Sequence, residues 1–262
     1  MLEAAAQCAA CQRKLRFGTL FCPGCGQTVG SVAGSTPAPG RRGDDSAVRR
    51  KFSEHWDELK RVGWLFGLLL ATSLVFGLVS RSESSPWPLV LASAIDALIV
   101  LVAAGLHWRK LLFLFRIHPI GTRRWMEILA TSIAFVLVMT LYFGFLERLG
   151  VPMSQATETL AQAGWPLWTA LVLISLMPAV FEELAFRGVI QSSLERIFNA
   201  RDAWLIQAAL FSLLHLSPLV FPSHFVMGLC FGLIRMRSRS LYPSMLLHAA
   251  WNALVVLQEL SG

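Results

Sequence analysis

Two adjacent carboxylates, Glu182 and Glu183, close a long apolar run that reads from Trp165 to Phe181. An ionisable side chain at bilayer depth costs about 2.5–3.5 kcal/mol on insertion scales, so one placed there is a functional candidate by default. Spacing sorts the local charges. On a helix, Glu183 and Arg187 stand four residues apart and share a face, so they neutralise each other. Glu182 points about 100° away from its neighbour and has no local partner. One carboxylate tied down beside one left free is the arrangement a general base wants. The competing reading leaves both glutamates in the headgroup region as ordinary solvated charges.

Further along stand Phe211-Ser-Leu-Leu-His215 and His248-Ala-Ala-Trp-Asn252, each pairing its end residues on one helix face. A lone histidine in an apolar helix usually hydrogen-bonds and packs. Here two histidines, an asparagine and a free glutamate fall on three separate apolar helices. Intramembrane polar groups face the interior of their bundle, so these four are expected to converge in one cavity.

The elements that must position them are transmembrane helices. The chain has 262 residues, 55% hydrophobic and only 15% charged, and apolar runs of spanning length recur from residue 62 onward. We read an all-α polytopic membrane protein with about seven spans: 62–79, 89–106, 126–146, the run from Trp165 into Glu182-Glu183, 203–216, 219–234 and 241–260. The fifth is shorter than the roughly 20 residues a crossing needs. Asp96, in the second, is expected to hydrogen-bond within the bundle, and the apolar piece 111–115 to lie at the interface. The net charge of +7 is mostly arginine, clustered at the N-terminus and in 107–125, 187–201 and 235–239. That is the pattern of cytoplasmic loops and not of a nucleic-acid surface. It predicts a cytoplasmic N-terminus in a cytoplasmic (plasma) membrane and, for seven spans, an external C-terminus. The first 60 residues contain no apolar stretch of the signal-peptide kind.

Ahead of the spans, Cys8-x2-Cys11-x10-Cys22-x2-Cys25 offers four thiolates from two tight knuckles, which suits tetrahedral zinc. The segment 1–29 resembles a small zinc ribbon and is expected to carry structural Zn2+ and to dock a cytoplasmic protein. Paired disulfides are the alternative, and they require an oxidising compartment that the predicted topology denies. Residues 30–48, rich in Gly, Ser, Ala and Pro, read as a flexible linker. Residues 49–61 read as a juxtamembrane helix on anionic lipid, and 49–124 as that helix with the first two spans. Cys230, alone in an apolar run, reads as packing.

Glu-Glu-x3-Arg, Phe-x3-His and His-x3-Asn, in that order on successive apolar helices, resemble the CAAX protease and bacteriocin-processing family of intramembrane proteases, which includes the type II CAAX prenyl endopeptidases. Phe225-x2-Gly228-x3-Gly232 fits as well, its glycines allowing close helix packing. The resemblance covers 125–262. It implies hydrolysis of peptide bonds in membrane-associated proteins or peptides. Glu182 would activate water, His215 would hold that water or carry its proton, and His248 and Asn252 would donate to the oxyanion. Glu183 and Arg187 would be a structural pair. A catalytic metal stays open: Glu182, His215 and His248 can bind zinc with a water, yet a ligated Glu182 could not easily serve as base. The alternative to the enzyme is a non-catalytic membrane scaffold or bacteriocin-immunity protein that docks partners through the ribbon.

Overall fold

The computed structural model describes residues 45–79, 85–151 and 156–260 together with positions 7 and 12, with side chains from residue 55 onward. Cys8, Cys11, Cys22 and Cys25 lie outside the described residues. The chain divides at Ser53/Glu54 into two compact units, and the second, Glu54–Gly262, holds the helices that concern the site.

Among the described residues from 45 onward every regular element is helical: α1 Asp45–Val79, α2 Trp87–Leu106, α3 Trp108–Leu111, α4 Thr122–Arg148, α5 Ala156–Gln162, α6 Leu167–Ile197, α7 Ala200–Leu214, α8 Phe221–Ser238 and α9 Tyr242–Glu259. The first helix begins at Asp45, inside the stretch read from sequence as linker. Local chemistry sets the other starts. Proline occupies the first turn of α2, α8 and α9, where its missing N–H costs nothing. Asn199 caps α7, its side chain accepting the N–H groups of Arg201 and Asp202, both at 3.0 Å.

Among the described residues, four stretches are long and apolar enough to cross a membrane: His55–Val79, Trp87–Leu106, Thr122–Arg148 and Leu167–Ile197. The last is one continuous helix with two wide π-helical sections, Leu171–Leu176 and Leu184–Ile190, on either side of the α-helical Met177–Glu183. The other three helices of the core, α7 with 15 residues and α8 and α9 with 18 each, pack against these. Helix α8 lies against α4, α7 and α9, and its inward face carries Ser223, Gly228, Gly232 and Arg235 in place of lipid-facing leucines. Both glycines are needed for the α7–α8 approach. A Cβ at Gly228 would stand 2.7 Å from the Ala208 Cα, and one at Gly232 would stand 2.5 Å from Gln207 Nε2. α9 turns Ser244, His248 and Val256 inward and exposes Leu246, at 73%, on its other face.

The ends of α9 mark its reach. At its start Leu241 N–H donates to the Leu114 carbonyl at 2.9 Å, and Ser240 Oγ reaches the same oxygen at 3.2 Å. The 111–115 piece, expected at an interface, is thus docked into the protein through a buried Leu114 in a 3-10 turn. At the far end Glu259 Oε2 accepts the Thr157 N–H of α5 at 3.3 Å. Tyr142 of α4 donates to the Leu219 carbonyl in the turn between α7 and α8.

Candidate active site

Glu182 and Glu183 lie near the midpoint of α6, between its two wide sections. A π-helical turn takes in an extra residue, shifts the faces that follow, and occurs frequently at functional sites. Glu183 is fully buried with its Oε1 2.9 Å from Arg187 Nη1, the four-residue pair that the spacing predicts. Arg187 is equally buried. Its guanidinium lies 4.3 Å from the Phe211 ring centre and 5.4 Å from that of Phe231, so aromatic faces supply cation–π contact where water is absent.

The same Glu183 oxygen accepts His248 Nδ1–H at 3.1 Å. That bond fixes the imidazole and turns its other nitrogen toward the second carboxylate: Nε2 stands 3.9 Å from Glu182 Oε2. The gap is longer than a direct hydrogen bond. An oxygen seated beside it can bond both groups. Glu182 retains 28% side-chain exposure while His248 has 2%, so the free carboxylate is the member of this group open to a ligand.

Asn252 follows one turn later on α9, and its Nδ2 donates to the Ile174 carbonyl at 3.1 Å. Sequence explains why that carbonyl needs a partner. An α-helix would supply the N–H of residue 178, which is proline. Ser175 Oγ reinforces the junction by donating to the Ala249 carbonyl at 2.7 Å. Two cross-helix bonds therefore hold α9 to α6 beside Glu182.

His215 ends α7, with Nδ1–H on the Phe211 carbonyl at 3.0 Å. Its ring neighbours are Phe211, at 5.1 Å between centroids, and His224, at 3.7 Å and tilted by 43°. Phe211 also lies 5.9 Å from His224 and 6.4 Å from His248. The phenylalanine of Phe-x3-His thus sits among three histidines and Arg187. Glu182, Glu183, Arg187 and His248 form one cluster, His215 reaches it across Phe211, and Asn252 is engaged on backbone next to it. His224 and Phe211 were missed as site residues. The signal for His224 was its place in the first turn of the helix that begins the glycine motif.

Asp96 lies against Thr72 of α1, and its Oδ1 is buried without a hydrogen-bond partner. Cys230 is a free thiol packed against the core. No group of three or more His, Cys, Asp or Glu among the described residues is placed to hold a metal ion.

A bundle of apolar helices with a buried ion pair and a half-open carboxylate at its centre defines a polytopic membrane protein with an intramembrane polar site. The family model described as type II CAAX prenyl endopeptidase Rce1-like matches residues 164–254, from the start of α6 into α9. This segment is thus similar to the type II CAAX prenyl endopeptidase family over about a third of the chain. No curated protein and no solved structure matches the chain significantly.

Proposed function

We propose that the chain hydrolyses peptide bonds of membrane-associated proteins or peptides, with Glu182 as general base. The observation that carries this is the placement of His248 between two carboxylates, 3.1 Å from Glu183 and 3.9 Å from Glu182. In the reaction, Glu182 takes a proton from water as the water oxygen bonds to the substrate carbonyl carbon. The carbonyl oxygen becomes the oxyanion. His248 donates to it from Nε2, which requires a ring holding both protons, the Nδ1 proton resting on Glu183. Asn252 uses one amide N–H on Ile174 and offers the other. Such donors in a dry site typically contribute about 3–4 kcal/mol each. His215, with Nδ1 held on Phe211, leaves Nε2 to hold the water or carry its proton. Glu182 then gives its proton to the departing nitrogen, the C–N bond breaks, and a carboxyl and an amine terminus result.

The test compares wild type with Glu182→Gln on a membrane-extract substrate pool, read by mass spectrometry of new termini. Termini formed by wild type alone are expected. Identical termini from both proteins, each folded, would remove Glu182 from the chemistry and return the scaffold reading.

We further propose a cytoplasmic membrane setting with the N-terminus inside, where the four-cysteine segment binds structural Zn2+ and docks a cytoplasmic protein. Chelation of zinc should leave cleavage of a short membrane peptide unchanged while slowing cleavage of full-length substrates. Equal loss on both substrates would make the ribbon part of the core.

A further inference from the structure

His224 stands in the first turn of α8, outside the three motifs and without a role in the reaction above. Its ring meets the ring of His215 at 3.7 Å between centroids, tilted by 43°. Phe211 lies against both, 5.1 Å from His215 and 5.9 Å from His224. Beyond Phe211 stand Arg187, its guanidinium 4.3 Å from that ring, and His248 at 6.4 Å.

Hydrogen bonds fix the proton on each of the two imidazoles. His215 Nδ1 meets the Phe211 carbonyl at 3.0 Å, and a carbonyl only accepts. The proton of a neutral His215 is therefore on Nδ1. His224 Nδ1 lies 3.2 Å from the Val220 carbonyl and 3.2 Å from Ser223 Oγ. The Ser223 hydroxyl spends its proton on the same Val220 carbonyl at 2.7 Å, so here too Nδ1 is the donor. In the neutral form both rings present a bare Nε2. That is the state His215 needs to accept from the attacking water while Glu182 takes the water's other proton.

His215 has little else to hold it so. It ends α7, and Leu216 after it adopts φ +52°, so the helix stops at this ring. A half-turn about Cβ–Cγ would break the bond to Phe211 and exchange Nε2 for a carbon. With His224 in contact, the edge of the turning ring would run into the neighbouring imidazole. The contact itself is built on a fixed hairpin, because Ser212 of α7 donates to the Phe221 carbonyl at the start of α8. We propose that His224 is a positioning residue of the site, its ring holding His215 with Nδ1–H on Phe211 and Nε2 bare. This role rests on His215 holding the water in the reaction proposed above.

The test uses the full chain in detergent with isotope-labelled histidine, read by nitrogen NMR. Loss of signals in His215→Gln assigns that ring. His224→Phe keeps a flat ring at this place and His224→Ala removes it. Wild type and His224→Phe should show His215 protonated at Nδ1 alone, and His224→Ala should show the proton shared between the two nitrogens of His215. New termini from the membrane-extract pool should form within about twofold of the wild-type rate in His224→Phe. They should form about tenfold more slowly in His224→Ala, inside the roughly 100-fold that a misplacement of about 1 Å costs. A merely structural His224 would lower the thermal unfolding midpoint without moving the His215 signals, so an unchanged His215 in His224→Ala overturns the positioning role. Slowing in His224→Phe as deep as in His224→Ala overturns it as well and gives the His224 nitrogen a direct contact with substrate. Should His224→Ala not fold, the phenylalanine variant decides: kept signals and kept cleavage support the ring contact, and loss of either overturns it. The NMR signals do not depend on hydrolysis, so their outcome is separate from that of Glu182 as base, which is read from termini in Glu182→Gln.

Discussion

Glu182 and Glu183 are neighbours in sequence with opposite circumstances, and the difference predicts opposite phenotypes. The Glu183 carboxylate serves Arg187 at 2.9 Å and His248 at 3.1 Å, all three within the bundle. Replacing it by glutamine leaves a guanidinium buried against Phe211 and Phe231 with no counter-charge. Breaking a buried pair in this way costs about 3–5 kcal/mol. Glu183→Gln should therefore lower the thermal unfolding midpoint in detergent strongly, whereas Glu182→Gln should leave it near wild type. Equal midpoints for the two variants would mean that the Glu183–Arg187 pair is not a structural support. The pairing was legible because four-residue spacing on a helix admits little else. His224 was not legible. A single histidine in an apolar helix reads as packing, and its tilted 3.7 Å ring contact with His215 exists only once α7 and α8 have folded against each other.

At the scale of the element, α6 carries a break that another helix repairs. Pro178 withholds the N–H that would meet Ile174, and Asn252 of α9 supplies one at 3.1 Å. Asn252→Ala strands that carbonyl, at about 1–3 kcal/mol for an unsatisfied buried group. The loss should shrink when Pro178→Ala first restores the helix's own donor. The coupling read from thermal unfolding of the two single variants and the double variant should be about 0.5–3 kcal/mol. Additive losses would show that Asn252 does not act through this carbonyl. Asn199 and the first-turn prolines are local start signals for α2, α7, α8 and α9. The wide sections at Leu171–Leu176 and Leu184–Ile190 were not. Their sequence is ordinary apolar helix, and the extra residue per turn depends on what packs alongside. For the same reason the sequence placed Asn252 beside Glu182 without showing that a backbone carbonyl holds it.

Over the whole molecule the ion pairs reveal an axis. Apart from the pairs at Glu183 and His248, the described ones join Glu58 to Arg61, Lys110 and Arg196, Lys60 to Asp57, Glu195 to Arg235, and Glu127 to Arg123 and Arg237. These residues lie early in the apolar part of α1, after α2, at the start of α4 and at the ends of α6 and α8. By the positive-inside rule this arginine-rich face is the cytoplasmic one in the orientation proposed above. From that face α9 sets out beside Leu114 and finishes at Thr157 of α5, between α4 and α6 on the opposite side. Its 18 residues rise about 27 Å at 1.5 Å each, close to the hydrocarbon thickness. The α7–α8 turn meets Tyr142 late in α4, so that hairpin also climbs most of the way. Low hydropathy in these helices reflects shielding by neighbours and the polar site they enclose. We therefore expect an odd number of crossings. A phosphatase reporter joined after Gly150 or Gly262 should be active outside the cell, and one joined after Gly121 or Arg239 inactive. An inactive fusion after Gly262 beside an active one after Gly150 would end α9 on the cytoplasmic side and require a different path through the bundle.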